Sequence, residues 1–246
     1  MTARSGGGRR GGVRSAAVAA ALRWGATRLP FVEDEVAGLA PLVRPGTVCV
    51  DVGAEYGLYT LGLAGLTGPS GHVHTVHRTA LGARPGRGVL SLPRRRGLPV
   101  HGRAYLTEGV RGPGPNAEFR TARPVPVPVR TLDQLAEAAG GGAPIGFVKA
   151  DVEGAELAVL RGGARTLARH RPALLLEVED RHLGKYGARS DELLEHLAGY
   201  GYRAHGWRGD HWTEVDRITP ERRNHLFSST VPHPRRPAGH DRGPAE

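Results

Sequence analysis

The stretch VCVDVGAEYGLYTLGLAGLTG, residues 48–68, joins an unbroken apolar run to a glycine turn and then to a segment with apolar residues at helical spacing. A run of valines with no polar alternation suits a strand buried on both faces, which is the situation of a parallel sheet covered by helices. GTVCVDV is therefore read as a first strand and GLYTLGLAGL as a helix that turns Leu58, Leu61, Leu63 and Leu66 toward one face. The expected fold class is α/β, a doubly wound, mostly parallel sheet.

The rest of the chain fits that pattern in most places. GHVHTVH is a candidate second strand and LPVHGRAYL a third, while RTALGARPGRGVLSLPRRRG between them reads as a poor helix, punctuated by glycine and proline. RPVPVPVR is extended, and its prolines restrict it to a sheet edge or a connecting arm. TLDQLAEAAG is a short helix that Thr131 can cap. A strand is expected at 145–150, then a turn and a helix from about Ala155; RPALLLEVE is a further buried strand. SDELLEHLAGYGY is a helix opened by Ser190, and YRAHGW and NHLFSS close the sheet.

With 246 residues and 39% hydrophobic content the chain can bury one core, read as a domain over 29–230 between a flexible arginine- and glycine-rich tail, 1–28, and a disordered tail, 231–246. The formal charge is +10, yet Lys149 and Lys185 are the only lysines, so the basic charge is arginine. Such a charge attracts acidic surfaces without specifying a partner, and a dedicated nucleic-acid role is not expected from it. The single cysteine, Cys49, sits in an apolar run, which excludes an intrachain disulfide and suits the cytoplasm. No apolar run approaches the roughly 18 residues of a membrane span.

In an open α/β sheet ligands bind outside the carboxyl ends of the strands, beside the first strand. Asp51, Gly53 and Gly57 occupy that place. The turn is not G-x-G-x-x-G, which argues against a dinucleotide and for a nucleoside carrying an amino-acid tail, of which S-adenosylmethionine is the commonest. Asp151 and Glu177 should end adjacent parallel strands, where converging carboxylates would suit Mg²⁺. Glu153 and Glu156 have an alternative role, capping or facing the next helix.

Two segments carry a more specific resemblance. LVRPGTVCVDVGAEYGLYTLGLAGLTGPSGHVHTV resembles the first cofactor motif of FkbM-type methyltransferases, a branch of the class I S-adenosylmethionine-dependent enzymes, and VPVRTLDQ through LLLEVE is similar to that family's second signature. The resemblance implies a Rossmann-like methyltransferase sheet over about 35–230. It makes Asp51, Gly53 and Gly57 the floor of the cofactor site, with Glu55 in its turn and His77 at the ribose. It places Lys149, Asp151 and Glu153 at the methyl-transfer end, where a carboxylate or lysine takes or orients the acceptor's proton.

The sequence departs from that family at the other end of the site. Glu55 stands where relatives usually carry asparagine, His77 where they usually place an acid, and RAYLTE, with Glu108, where they tend to keep an aspartate. The implied activity is O-methylation of a small-molecule or sugar hydroxyl. A methyltransferase-like scaffold without catalysis and a nucleic-acid methyltransferase remain as alternatives.

Overall fold

The structure, a computed structural model, describes residues 33–75, 78–140 and 143–230, together with a few positions between 17 and 25. His77 and the segment 231–246 lie outside the described residues. Within the segment expected to be a free tail, positions 20–22, 24 and 25 are helical and Leu22 packs on the core, so part of it joins the domain.

Among the described residues twelve strands form two sheets: β1 (Val48–Val52), β2 (His72–Thr75), β3 (Ala80–Leu81), β4 (Gly86–Arg95), β5 (Leu98–Pro99), β6 (Tyr105–Leu106), β7 (Thr121–Arg130), β8 (Ile145–Ala150), β9 (Ala173–Glu177), β10 (Arg203–Trp207), β11 (Trp212–Glu214) and β12 (Asn224–Ser228). The main sheet runs β11-β10-β12-β9-β8-β1-β2. β2, β1, β8 and β9 are parallel; β12 joins β9 antiparallel, and β10 and β11 continue antiparallel. The sheet is thus mixed, and the expectation of a mostly parallel one holds only for its β2 to β9 half.

Helices cover both faces because strand residues alternate between them. Cys49, Phe147, Leu175 and Leu226 meet Leu63 of α1 (Leu58–Thr67) and Leu39 of the 3₁₀ turn Asp34–Leu39. Val50, Val148, Leu174, Leu176 and Phe227 meet the opposite layer: Leu132 of α2 (Leu132–Gly140), Leu160 of α3 (Glu156–Arg161), Leu167 of α4 (Ala164–His170) and Leu193 of a later helix. Each fully buried leucine contributes about 1.5–3 kcal/mol. Leu61 does not behave like its neighbours: it is exposed, because the α1 stripe is narrower than expected. Two further helices, α5 (Asp180–Leu183) and α6 (Ser190–Ala198), lead to β10. Ser190 is the first residue of α6, and its N–H and hydroxyl both donate to Asp180.

Thr131 and Gln134 cap α2 reciprocally: the Gln134 N–H donates to the Thr131 hydroxyl at 3.1 Å and the Thr131 N–H to the Gln134 side chain at 3.2 Å. Trp207 and Trp212 are buried in the α1 layer, and the Trp212 indole donates to the Gly38 carbonyl, so they pack the core and do not line an acceptor site.

The segment 78–130 departs from expectation. The supposed poor helix is β3 and the ten-residue strand β4, and LPVHGRAYL is not a third parallel strand but β5, a 3₁₀ turn at His101–Arg103, and β6. They form a second sheet, β3-β7-β4-β5, with β6 also on β4. Its inner face carries Leu90, Leu106, Val125, Val127 and Val129. β3 pairs with Val129 and Arg130, so among the described residues no strand pairs with the outer edge of β7 along Pro124, Pro126 and Pro128, as expected of proline. Among the described residues no helix is long and apolar enough to cross a membrane.

Candidate functional site

The first turn of the site is dictated by sterics. Gly53 has φ +80, and a Cβ there would lie 1.9 Å from the carbonyl oxygen of Asp151, so only glycine lets the ends of β1 and β8 approach this closely. The Asp151 N–H donates to the Val52 carbonyl at 3.0 Å and completes the crossing.

Three adjacent parallel strands end in acids: Asp51 on β1, Asp151 just past β8 and Glu177 on β9. Asp51 is buried and accepts from the Thr60 hydroxyl at 2.5 Å; burial raises its pKa, against the lowering effect of Thr60 and Lys149. Glu177 is hydrogen-bonded to Asp151, and burial, then that contact, pushes its pKa well up.

Lys149 is buried beside them on the α1 face. Its Nζ donates to Asn224 Oδ1 at 2.9 Å and stands 5.0 Å from the centre of the Tyr59 ring. Asn224 donates to Glu33 at 3.1 Å, as does the Tyr59 hydroxyl at 2.5 Å. Burial and then Glu33 push the Tyr59 pKa well above its ordinary value.

A cavity of about 240 Å³ opens between the carboxyl ends of the main sheet and the second sheet. Its acidic wall is Glu55, Asp151 and Glu153 with the Gly53 turn; its apolar wall is Leu81, Leu90, Tyr105 and Leu106; Arg78 and His101 also line it. Of the residues expected from sequence, Gly53, Glu55, Asp151 and Glu153 thus reach the cavity. Asp51, Gly57 and Lys149 do not line it.

Glu55 takes φ 42, uncommon outside glycine, and its carboxylate accepts from the Gly102 backbone. Burial and then Asp151 raise its pKa. The glutamate that replaces the usual asparagine is thus turned onto the 3₁₀ turn of the second sheet. Arg78, His101 and Tyr105 are not evident from sequence, because their segment reads there as helix and as a strand of the main sheet.

Asp151 and Glu177 stand side by side at the ends of β8 and β9, as expected from sequence, and offer oxygen donors from two residues. Among the described residues no group of three or more His, Cys, Asp or Glu side chains is arranged to hold a metal ion. S-adenosylmethionine fits the donor set better: acids on one wall suit its cationic sulfonium and ammonium groups, and a wall of leucines and a tyrosine suits a flat base.

A parallel α/β core with a glycine turn, acids at the strand ends and a cavity beside them belongs to the class of proteins that bind a small ligand at the switch point of the sheet. Residues 51–204 match the model of the methyltransferase FkbM domain, and the chain belongs to this methyltransferase family. The crystal structure of methyltransferase FkbM from Methylobacillus flagellatus KT is similar over 82% of this chain and 47% of its own, at 18% identity and a TM-score of 0.43, so the chain spans about half the length of that protein. A comparison with curated proteins finds no match.

Proposed function

We propose that the protein is a cytoplasmic S-adenosylmethionine-dependent methyltransferase acting on a hydroxyl of a small molecule or sugar. The observation that carries this reading is the cavity whose acidic wall, Glu55, Asp151 and Glu153, faces an apolar wall at the carboxyl ends of β1 and β8. When bound, S-adenosylmethionine supplies an electrophilic methyl group on a sulfonium. Gly53 and Glu55 would hold its amino-acid end, with Asp51 behind them, and Leu81, Leu90 and Tyr105 its base.

The chain's own part is to position the hydroxyl and remove its proton. Asp151 lines the cavity and is the group that accepts that proton at a carboxylate oxygen; Glu177, hydrogen-bonded behind it, shares the resulting charge change. Lys149, buried between Asp51, Asn224 and Tyr59, stands among these acids without entering the cavity.

Calorimetric titration with S-adenosylhomocysteine tests the reading. The expected result is micromolar binding, weakened at least about tenfold, or 1.4 kcal/mol, by Asp51→Ala in a folded protein. Folded wild type that takes up no ligand would return the chain to the scaffold alternative. Methyl transfer from S-adenosylmethionine to a panel of sugar and phenolic hydroxyls should then vanish in Asp151→Asn while ligand binding persists.

A further inference from the structure

A second charged network runs from Glu153 and Tyr105 in the cavity walls into the buried region behind them. Glu153 is 7% exposed and has φ 55, a left-handed conformation that a side-chain-bearing residue keeps only when its surroundings enforce it. Its carboxylate faces three basic groups: His182 Nδ1 at 2.8 Å, without the alignment of a hydrogen bond, Arg103 Nη1 at 3.6 Å and Lys185 Nζ at 3.7 Å.

Lys185 has a side chain with no exposed surface. Its Nζ donates to Asn116 Oδ1 at 2.9 Å and lies 4.4 Å from the centre of the Tyr105 ring. Asn116 Nδ2 in turn donates to the Arg103 carbonyl at 2.9 Å. Backbone contacts run the same way: the Arg111 N–H donates to the Lys185 carbonyl at 2.7 Å, and the Tyr186 hydroxyl to the Leu106 carbonyl at 2.6 Å.

Five of these contacts, Arg103–Glu153, Asn116–Lys185, Tyr105–Lys185, Arg111–Lys185 and Leu106–Tyr186, join the loops of the second sheet to the β8–α3 turn or to the segment 180–186, and the rest tie those partners to one another. The cavity wall formed by His101, Gly102, Tyr105 and Leu106 hangs from them. A buried ionic web is a poor source of net stability, since desolvation offsets most of its attraction, but removing one partner leaves the others uncompensated and displaces what they hold.

We infer that Glu153, Lys185 and Asn116 are positioning residues that fix segment 101–106 against the β8–α3 turn and thereby set the width of the ligand cavity. Glu153 is then engaged in holding that wall, and the acceptor's proton goes to Asp151. The effect on ligand rests on the proposed function; the effect on the wall does not.

The test compares the full chain with Lys185→Met, with the milder Glu153→Gln and with the double variant, by hydrogen exchange and by titration with S-adenosylhomocysteine. The amides of Arg103, Ala104 and Thr107, bonded to Val100, His101 and Val89, report the wall. In each single variant they should exchange about tenfold faster, with the amides of 145–150 unchanged and ligand affinity about tenfold lower. The double variant should speed exchange by less than the product of the two single effects, because both substitutions remove the same Glu153–Lys185 contact. Wild-type binding that both single variants retain in full, with unchanged exchange at Arg103, Ala104 and Thr107, would overturn the inference, as would exchange that speeds equally at 145–150. Should wild type bind no S-adenosylhomocysteine, the proposed function fails, and the exchange at 103–107 still decides the role of the web.

Discussion

Two groups of buried charges flank the β8–α3 turn and solve the same problem differently. At the carboxyl ends of β1, β8 and β9, Asp51, Asp151 and Glu177 crowd together with Lys149 among them, and burial raises the pKa of Asp51 and Glu177. Two residues beyond Asp151, Glu153 is surrounded instead by Arg103, His182 and Lys185. In the first group burial favours the neutral form of Asp51 and Glu177, whereas in the second basic groups offset the carboxylate. Acids whose protons are held more tightly suit proton exchange with a ligand, whereas paired charges hold neighbouring chain in place.

The sharpest way to break this contrast is to break the crossing that separates its halves. Gly53→Ala would drive a Cβ into the Asp151 carbonyl at φ +80, and should destabilise the domain by about 3 kcal/mol or more in urea unfolding. The turn itself depends on Glu156, whose Oε1 accepts from the N–H groups of Val152 at 3.1 Å and Gly154 at 3.3 Å. Burial pushes the Glu156 pKa from 4.5 to about 7, so the folded state keeps a proton that the unfolded chain releases. That contribution is complete below pH 4.5 and fades as pH rises through 7, to an upper limit of about 3 kcal/mol. Glu156→Gln should therefore flatten the pH dependence of melting between pH 5 and 7; an unaltered slope would assign it to the other raised acids, Glu35, which burial likewise pushes up to about 7, and Glu177.

Among the crowded acids, Asn224→Ala removes the amide that accepts from buried Lys149 and should cost about 1–3 kcal/mol by the same unfolding measurement. The smallest effect belongs outside both groups. Arg95 and Glu118 pair at 3.2 Å with both side chains about half exposed, and Arg95→Ala should change stability by less than about 0.5 kcal/mol.

The main sheet was legible because each strand carries its period openly: β1, β8 and β9 are apolar runs, while the Gly53 turn and the Thr131 cap mark where strands give way to helices. β4 hid its period. Its inward positions are Gly86, Gly88, Leu90 and Leu92, and two glycines there erase the alternation a strand should show. Packing explains Gly88, where a Cβ would stand 2.7 Å from Leu106 and 2.9 Å from Val129. In the site, the motif put Lys149, Asp151 and Glu153 at one strand end, but their partners come from far along the chain. Asn224 lies 75 residues from Lys149, and Asn116 lies 69 from Lys185. Spacing in a sequence carries no signal of that kind.

The three prolines of β7 have a consequence beyond their own strand. Pro124, Pro126 and Pro128 pair with Ser91, Val89 and Arg87 of β4, so their nitrogens point to the open side of the sheet. A strand edge normally offers N–H donors there and can be lengthened by any extended chain that meets it. Here those three places have no hydrogen to give. The second sheet thus keeps an exposed border that is a poor template for a further strand, because a chain pairing there would find carbonyls but lack three of its donors.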